Sequence, residues 1–257
     1  MKKSNTEFPC PGGFSARQKI LSWVPPRLYL EVRRLGRKIF QKNAVPLHRK
    51  PFDEARAIFI HIPKCAGVSV NHALFGNLGG GHATLEQYLD VFEPKCIVGY
   101  FKFTIVRNPW DRLASAYHFL KQGGFDEKDR HWFNEELACF KNFDDFVRNW
   151  LSRENIWKWD HFRPQRHYMF DRGHKVQLDF VGRFENIQED FSYIAGKIGA
   201  KTALPHLNKS ERGNYPDDYT KETKERVAEV YAEDIQVLGY DFDHSIPPDR
   251  RRKPGRR

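Results

Sequence analysis

The chain has 257 residues, 40% apolar and 14% aromatic, enough for one large folded domain with a real core and too apolar for a disordered protein. No apolar run approaches the ~18–20 residues of a membrane-spanning helix, and no hydrophobic segment follows the two lysines of the opening MKKSNTEF, which argues against a signal peptide. The four cysteines, Cys10, Cys65, Cys96 and Cys139, make neither a Cys-x-x-Cys pair nor a metal-ligand spacing, so a reducing, cytoplasmic location is expected and a zinc site is not.

The net charge of +10 is unevenly placed. Residues 1–56 hold thirteen Lys/Arg against four Asp/Glu, and residues 249–257 (DRRRKPGRR) hold six against one. The stretch between them is therefore mildly acidic, at about −4. The basic ends suit an anionic membrane surface or an anionic polymer, or serve only as solubilising tails. The expected organisation is a basic, partly helical extension over 1–56, a catalytic domain over 57–243 and a basic, disordered tail over 244–257.

In chain order, PRLYLEVRRLGRKIFQK (26–42) reads as a basic amphipathic helix that packs on the domain or lies on a membrane. Residues 57–62 read as a buried strand that breaks at Pro63, and a helix runs from near Val68 to Phe75. A glycine-rich loop follows, then a short helix capped by Thr84 with Gln87 three residues on. YFKFTIV (100–106) is a second buried strand. The next helix starts at Asn108 as N-cap, with Pro109 first and Asp111 in the first turn, and ends at Gly123 and Gly124. Residues 125–176 are mixed helix and loop, dense in tryptophan and arginine. LDFVGRF (178–184) is a third strand, followed by a helix whose Asn186 and Glu189 suggest a capping box. After the polar loop HLNKSERGNYPDDY comes a last long helix carrying Val227, Val230, Tyr231, Ile235 and Leu238. Strands alternating with helices define an α/β fold: a single P-loop-like domain with a central, mostly parallel sheet flanked by helices.

A strand that turns straight into a helix presents unpaired backbone N–H groups with the positive end of the helix dipole behind them, a natural anion site. In PKCAGVS, Lys64 adds a charge, Gly67 lets backbone approach the ligand and Ser69 offers a hydroxyl. The nucleoside-triphosphate loop G-x-x-x-x-G-K-[ST] is not matched, because the lysine precedes the glycine and no Lys-Ser/Thr pair follows. The stretch Pro63, Lys64, Cys65, Ala66, Gly67, Val68, Ser69 is instead similar to the 5′-phosphosulfate loop of sulfotransferases that use 3′-phosphoadenosine 5′-phosphosulfate (PAPS). The branch it most resembles acts on carbohydrates and includes the heparan sulfate 2-O-sulfotransferases and bacterial relatives. Cys65 and Val68 stand where that family's loop usually has threonines.

RNPWDRLASAY, about forty residues further on, resembles the same family's 3′-phosphate motif, with Arg107, Asn108, Pro109, Arg112, Ser115 and Tyr117 all in place. Ser115 lies roughly 9 Å along the helix from Pro109 at ~1.5 Å per residue, a span that a guanidinium at 107 can cover to share a phosphate with the hydroxyl. Arg112, one turn from Ser115, joins that site or braces it. The resemblance covers roughly residues 57–243.

It implies PAPS as co-substrate, no metal, and in-line sulfuryl transfer to an acceptor hydroxyl, with Lys64 neutralising the leaving oxygen and a histidine as base. Of eleven histidines, His82 sits in the loop where this branch carries its catalytic histidine. His61 ranks second, and His72 and His118 read as solvent or packing positions. Lys209 and Ser210 are placed by the resemblance in a loop that closes over PAPS, although a plain solvated loop fits them equally. Among the aromatic and basic residues of NIWKWDHFRPQRHYMF, Trp157, Trp159, Arg163 and Arg166 are candidates to hold a carbohydrate or glycolipid acceptor, and core packing competes for the aromatics.

Two other readings remain open. A nucleotide-dependent phosphotransferase lacks its metal-binding residues. A non-catalytic anion- or nucleic-acid-binding module acting through the basic ends is opposed by the acidic balance of 57–248, so nucleic acid is not an expected partner.

Overall fold

The structure, a computed structural model, describes residues 25, 28, 30–31, 49–76, 81–171, 177–205 and 215–243. Most of the expected helix 26–42, the loop carrying Lys209 and Ser210 and the tail 244–257 lie outside the described residues. Leu28, Leu30 and Glu31 are helical, with Leu30 buried.

Helix α1 (Arg49–Ala55) leads into strand β1 (Ala57–Ile60). Helices α2 (Gly67–Phe75), α3 (Leu85–Val91) and α4 (Pro94–Gly99) precede strand β2 (Phe101–Val106). Then come α5 (Pro109–Lys121), α6 (Glu127–Glu136), α7 (Phe143–Asn149) and the short α8 (Gln165–Met169). Strand β3 (Phe180–Arg183), α9 (Ile187–Ile198), α10 (Lys221–Val230) and α11 (Ala232–Leu238) complete the described chain. The three strands are parallel in the order β1-β2-β3, with Ile60 opposite Thr104 and Val106 opposite Arg183. The carboxyl ends of β1 and β2 therefore lie side by side, where an open parallel sheet binds its ligand. The Thr104 hydroxyl donates to the Ile60 carbonyl at 2.7 Å, fixing the end of β1 against β2.

The four residues of β1 are all buried, as are the last five of β2, the pattern of strands covered on both faces. Two apolar clusters result. One packs the sheet, including the stacked rings of Phe59 and Phe103 at 4.9 Å, against Phe191 and Ile194 of α9. The other is aromatic: Tyr117 stacks on Phe146 at 4.8 Å, and Phe146 on Trp150 at 5.2 Å, with Phe162 beside them. Among the described residues, no helix is long and apolar enough to cross a membrane.

The caps read from sequence at α3 and α5 form: Thr84 and Gln87 close a reciprocal capping box, and the Asn108 side chain accepts from Trp110 N at 3.0 Å. The box expected at Asn186 does not form. A 3₁₀ turn over Phe184–Asn186 runs directly into α9 and leaves Asn186 at φ −116°, ψ 28°, outside the extended geometry that brings an N-cap side chain over the first turn. The last long helix is also two helices, interrupted at Tyr231, whose hydroxyl is drawn to the Phe162 carbonyl at 2.7 Å.

Gly182 lies where the sheet meets α9, and a Cβ there would stand 2.6 Å from Ile105 Cδ1 and 3.2 Å from Asp190 Cβ. We expect Gly182→Ala to destabilise the fold by about 1–2 kcal/mol through overpacking, read as a lower urea midpoint at unchanged m-value.

Candidate active site

The turn from β1 to α2 is built under strain. Lys64 (φ 67°) and Ala66 (φ 58°) both adopt the left-handed region without being glycine, at a cost of roughly 1–2 kcal/mol each. Such residues persist only where their surroundings over-determine them, typically at ligand-binding turns. The surroundings here are two arginines of α5 and its approach. Arg112 Nε donates to the Pro63 carbonyl at 3.0 Å, and an Arg107 terminal nitrogen donates to the Lys64 carbonyl at 3.0 Å. Within the turn itself, the Cys65 amide donates to the Ile62 carbonyl at 3.4 Å. The first intrahelical bond of α2 runs from Val70 N to the Ala66 carbonyl, so the Gly67 and Val68 amides belong to the first turn, which has no intrahelical acceptor. Ser69 is buried on the same turn.

Arg107 is 8% exposed. Its Nε bonds Asp111 at 2.7 Å, and its guanidinium lies 4.0 Å above the Phe184 ring. It thus reaches forward one helical turn to Asp111, while Ser115 sits half-buried a turn further on. Arg112, 2% exposed, also donates to the His161 carbonyl at 3.1 Å. These are the contacts of a brace behind the turn.

Gln165, fully buried at the start of α8, ties the two motifs together and carries no local signal in the sequence. Its carbonyl oxygen accepts from Arg107 N at 2.9 Å, its amide donates to the Arg107 carbonyl at 2.8 Å, and the Cys65 thiol lies 3.5 Å from the same oxygen. Asp234, equally buried on α11, in turn accepts from the Gln165 and Arg166 amides at 2.6 and 3.0 Å. Burial pushes the Cys65 thiol up to about 12, so it stays protonated and acts as a weak donor where the resembling loops have a hydroxyl.

On the other side of the turn three imidazoles gather. His61 and His82 meet edge-to-face at 4.6 Å between centroids, and His82 meets His161 in the same way at 5.6 Å. Lys64 Nζ stands 3.6 Å over the Phe119 ring, which also packs against His161. Gly67 is required here by close approach, because a Cβ on it would overlap the His61 ring at 1.7 Å. Burial pulls His61 and His161 well below the usual histidine range, helped by His82 and Lys64, and it lowers His82 as well. The nearby Asp160 carboxylate and a hydrogen bond with the His61 backbone partly offset the burial of His82. Among the described residues, no group of three or more His, Cys, Asp or Glu is arranged to hold a metal ion.

The candidate acceptor residues separate. Trp159 stacks on Trp132 at 4.9 Å and donates to Asp129 at 3.0 Å, and Arg163 pairs with Asp160 at 2.6 Å, both on the segment that carries His161. Trp157 and Arg166 line a different cavity of about 170 Å³ with Glu229, Tyr231 and Glu233, where Arg166 pairs with Glu233. Trp150 is core. His72 is exposed on α2, and His118 stacks on Phe143.

The parallel sheet thus sets a strained turn at one strand end, a buried arginine at the next and three imidazoles beside them. The profile of the Sulfotransferase family matches residues 51–241, and the chain belongs to that family. It is similar to Carbohydrate sulfotransferase 14 of Danio rerio, 28% identical over 213 residues, covering 69% of this chain and 56% of that protein. It is similar also to Carbohydrate sulfotransferase 11 of Rattus norvegicus, 24% identical over 185 residues, covering 64% of this chain and 52% of the other. The match thus spans about half the length of these curated relatives. An uncharacterized protein of Archaeoglobus fulgidus is 31% identical over 123 residues, 47% of this chain and 87% of its own length. No solved structure gives a significant match.

The lowered histidines have a consequence for stability. Near pH 6.5 the unfolded chain binds protons that the folded chain refuses, so stability is whole above that pH and declines as pH falls below it. We expect the unfolding free energy, from urea titrations at pH 5 to 8, to drop by up to about 1.4 kcal/mol per pH unit for each such histidine below about pH 6. His161→Phe removes one proton's share of that slope.

Proposed function

We propose that this protein moves a sulfuryl group from PAPS to a hydroxyl of a carbohydrate acceptor, a glycan or glycolipid. The observation that carries the reading is the direct bond from Arg107 to the Lys64 carbonyl, which joins the two anion-binding stretches at adjacent strand ends within contact of a histidine cluster.

In this reading the 5′-phosphosulfate lies on the turn Pro63–Ser69, met by its amides, the Lys64 ammonium and the Ser69 hydroxyl. The 3′-phosphate is held by Arg107 and Ser115, with Arg112 behind the turn and Lys209 and Ser210 closing over the nucleotide. The cradle fits such a ligand: its amides are presented by a backbone that α5 holds in a costly conformation, and Gly67 leaves the approach open. The acceptor oxygen attacks sulfur in line as the bond from sulfur to the 5′-phosphate oxygen breaks. The hydroxyl proton passes to His82, which its surroundings keep neutral, and Lys64 meets the charge that develops on the leaving phosphate. Trp159 and Arg163 share the short segment of His161, the ring that meets His82, and in this reading are the first acceptor contacts. Trp157 and Arg166 would serve only an acceptor long enough to reach the second cavity. The basic ends would keep the body at an anionic membrane surface carrying such acceptors.

Calorimetric titration without magnesium tests the donor: adenosine 3′,5′-bisphosphate binds tightly and ADP weakly. Indifference to the 3′-phosphate, or a need for magnesium, would return the protein to the phosphotransferase reading. Lys64→Ala and Arg107→Ala each weaken bisphosphate binding about 10–100-fold, the worth of a charge-assisted hydrogen bond. His82→Ala leaves that binding within about twofold and lowers turnover by about 10²–10⁴. Unchanged turnover in this variant would remove His82 as the base.

A further inference from the structure

The segment facing His82 is fixed to an unusual degree. Three consecutive carbonyls, those of Asp160, His161 and Phe162, each accept a hydrogen bond from a side chain of a different element. Tyr168 of α8 bonds the first at 2.8 Å, Arg112 of α5 the second at 3.1 Å and Tyr231, between α10 and α11, the third at 2.7 Å. Trp159, just before them, is anchored through its indole N–H to Asp129 at 3.0 Å. A 3₁₀ turn over Asp160–Phe162 has too few bonds of its own to hold a side chain in one place, and the four anchors supply what it lacks.

His161 is the side chain this wall presents to His82. Its ring meets His82 edge-to-face at 5.6 Å and packs on Phe119, the ring beneath Lys64. Its Nδ1 lies 3.9 Å from Asp129 Oδ1, with side chains only 11% and 8% exposed, and that nitrogen is buried without a hydrogen-bond partner. Asp129 is itself held in place, its other oxygen accepting from Phe125 N at 2.8 Å. The order Asp129, His161, His82 thus sets a carboxylate behind an imidazole that faces the proposed base.

We propose that His161 is a positioning residue for His82: backed by Asp129, it fixes the His82 ring and presents a neutral, polarisable neighbour to the positive charge that His82 gains on taking the acceptor's proton. The inference rests on the reading of His82 as base. His161 stays neutral throughout, and the proton moves only from the acceptor oxygen to His82. The need for such a partner follows from what else faces the pair. Lys64 and Arg112 oppose a cation there, His61 is a second neutral ring, and Asp160 and Asp129 are the anions within reach. Burial disfavours an imidazolium at His82, so a neighbouring ring fixed against a carboxylate eases the charge it gains.

Histidine-selective ¹⁵N NMR on the intact protein tests this without an acceptor, with the His82 signal assigned by its loss in His82→Gln. His161→Phe keeps a ring on Phe119 but deletes both nitrogens, and His161→Gln keeps a polar group. In His161→Phe the His82 titration midpoint falls by about half a pH unit or more, since the protonated form has lost a partner, and His161→Gln restores part of the shift. With a carbohydrate acceptor then supplied to take the sulfuryl group, PAPS-to-bisphosphate conversion falls about 10–100-fold in kcat, with KM for PAPS and bisphosphate affinity within about twofold. An unmoved His82 midpoint with full turnover in His161→Phe overturns the proposal, as does bisphosphate binding that falls in parallel with turnover, the mark of a purely structural role. Full turnover in His82→Gln is a different outcome and removes the base assignment itself.

Discussion

The turn between β1 and α2 holds two non-glycine residues in left-handed backbone, with the Cys65 amide bonded locally to the Ile62 carbonyl. Stronger support comes from outside: Arg112 and Arg107 take the Pro63 and Lys64 carbonyls, and Gln165 clamps the Arg107 backbone. Hydrogen bonds from a buried guanidinium are among the stronger ones available, and losing one would leave a charge stranded in a dry interior. The geometry of the amide-lined turn is therefore a property of α5 and α8 as much as of the residues in the turn. Because β1 and β2 are adjacent and parallel, that dependence spans only the width of one strand pair.

Burial then sets the chemistry on the other face. The same packing that fixes the turn brings His61, His82 and His161 together in a space with little water, so the imidazoles are held neutral beside a lysine. Neutral imidazole is the form able to receive a proton, and a fixed ammonium beside it is the form able to meet a developing negative charge. Both states come from one environment: burial disfavours a charge on the rings, and repulsion from the Lys64 and Arg112 cations adds to it.

Much of the frame was legible along the chain because it is written in local patterns. The buried runs at 57–62 and 100–106 announce strands, and Asn108, Pro109 and Asp111 announce the start of α5. Thr84 with Gln87 announces α3. The features that escaped are those settled by distant contacts. Asn186 looks like a cap, but the 3₁₀ turn before it takes the position. Tyr231 has helical spacing on both sides, yet its hydroxyl bonds Phe162 and the helix breaks there. Gln165 and Asp234 have no motif around them, and their roles exist only because α8 and α11 pack behind the strand ends. The tryptophans of 132–159 are indistinguishable by type, and the fold sends Trp150 to the core, Trp159 toward Asp129 and Trp157 to the surface. His161 had the same obscurity, one histidine in an aromatic stretch until the chain folds it against His82.

Cys65 carries a last implication. A cysteine in the middle of a strand-to-helix turn, beside a helix start and two arginines, occupies surroundings that commonly yield a reactive thiolate. Here its sulfur is sealed at 1% exposure against Gln165 and held protonated. It behaves as a larger, weaker hydroxyl, and alkylating or oxidising reagents will meet the exposed Cys139 long before they reach it. The turn is redox-silent by burial, so oxidising and reducing surroundings leave its geometry the same.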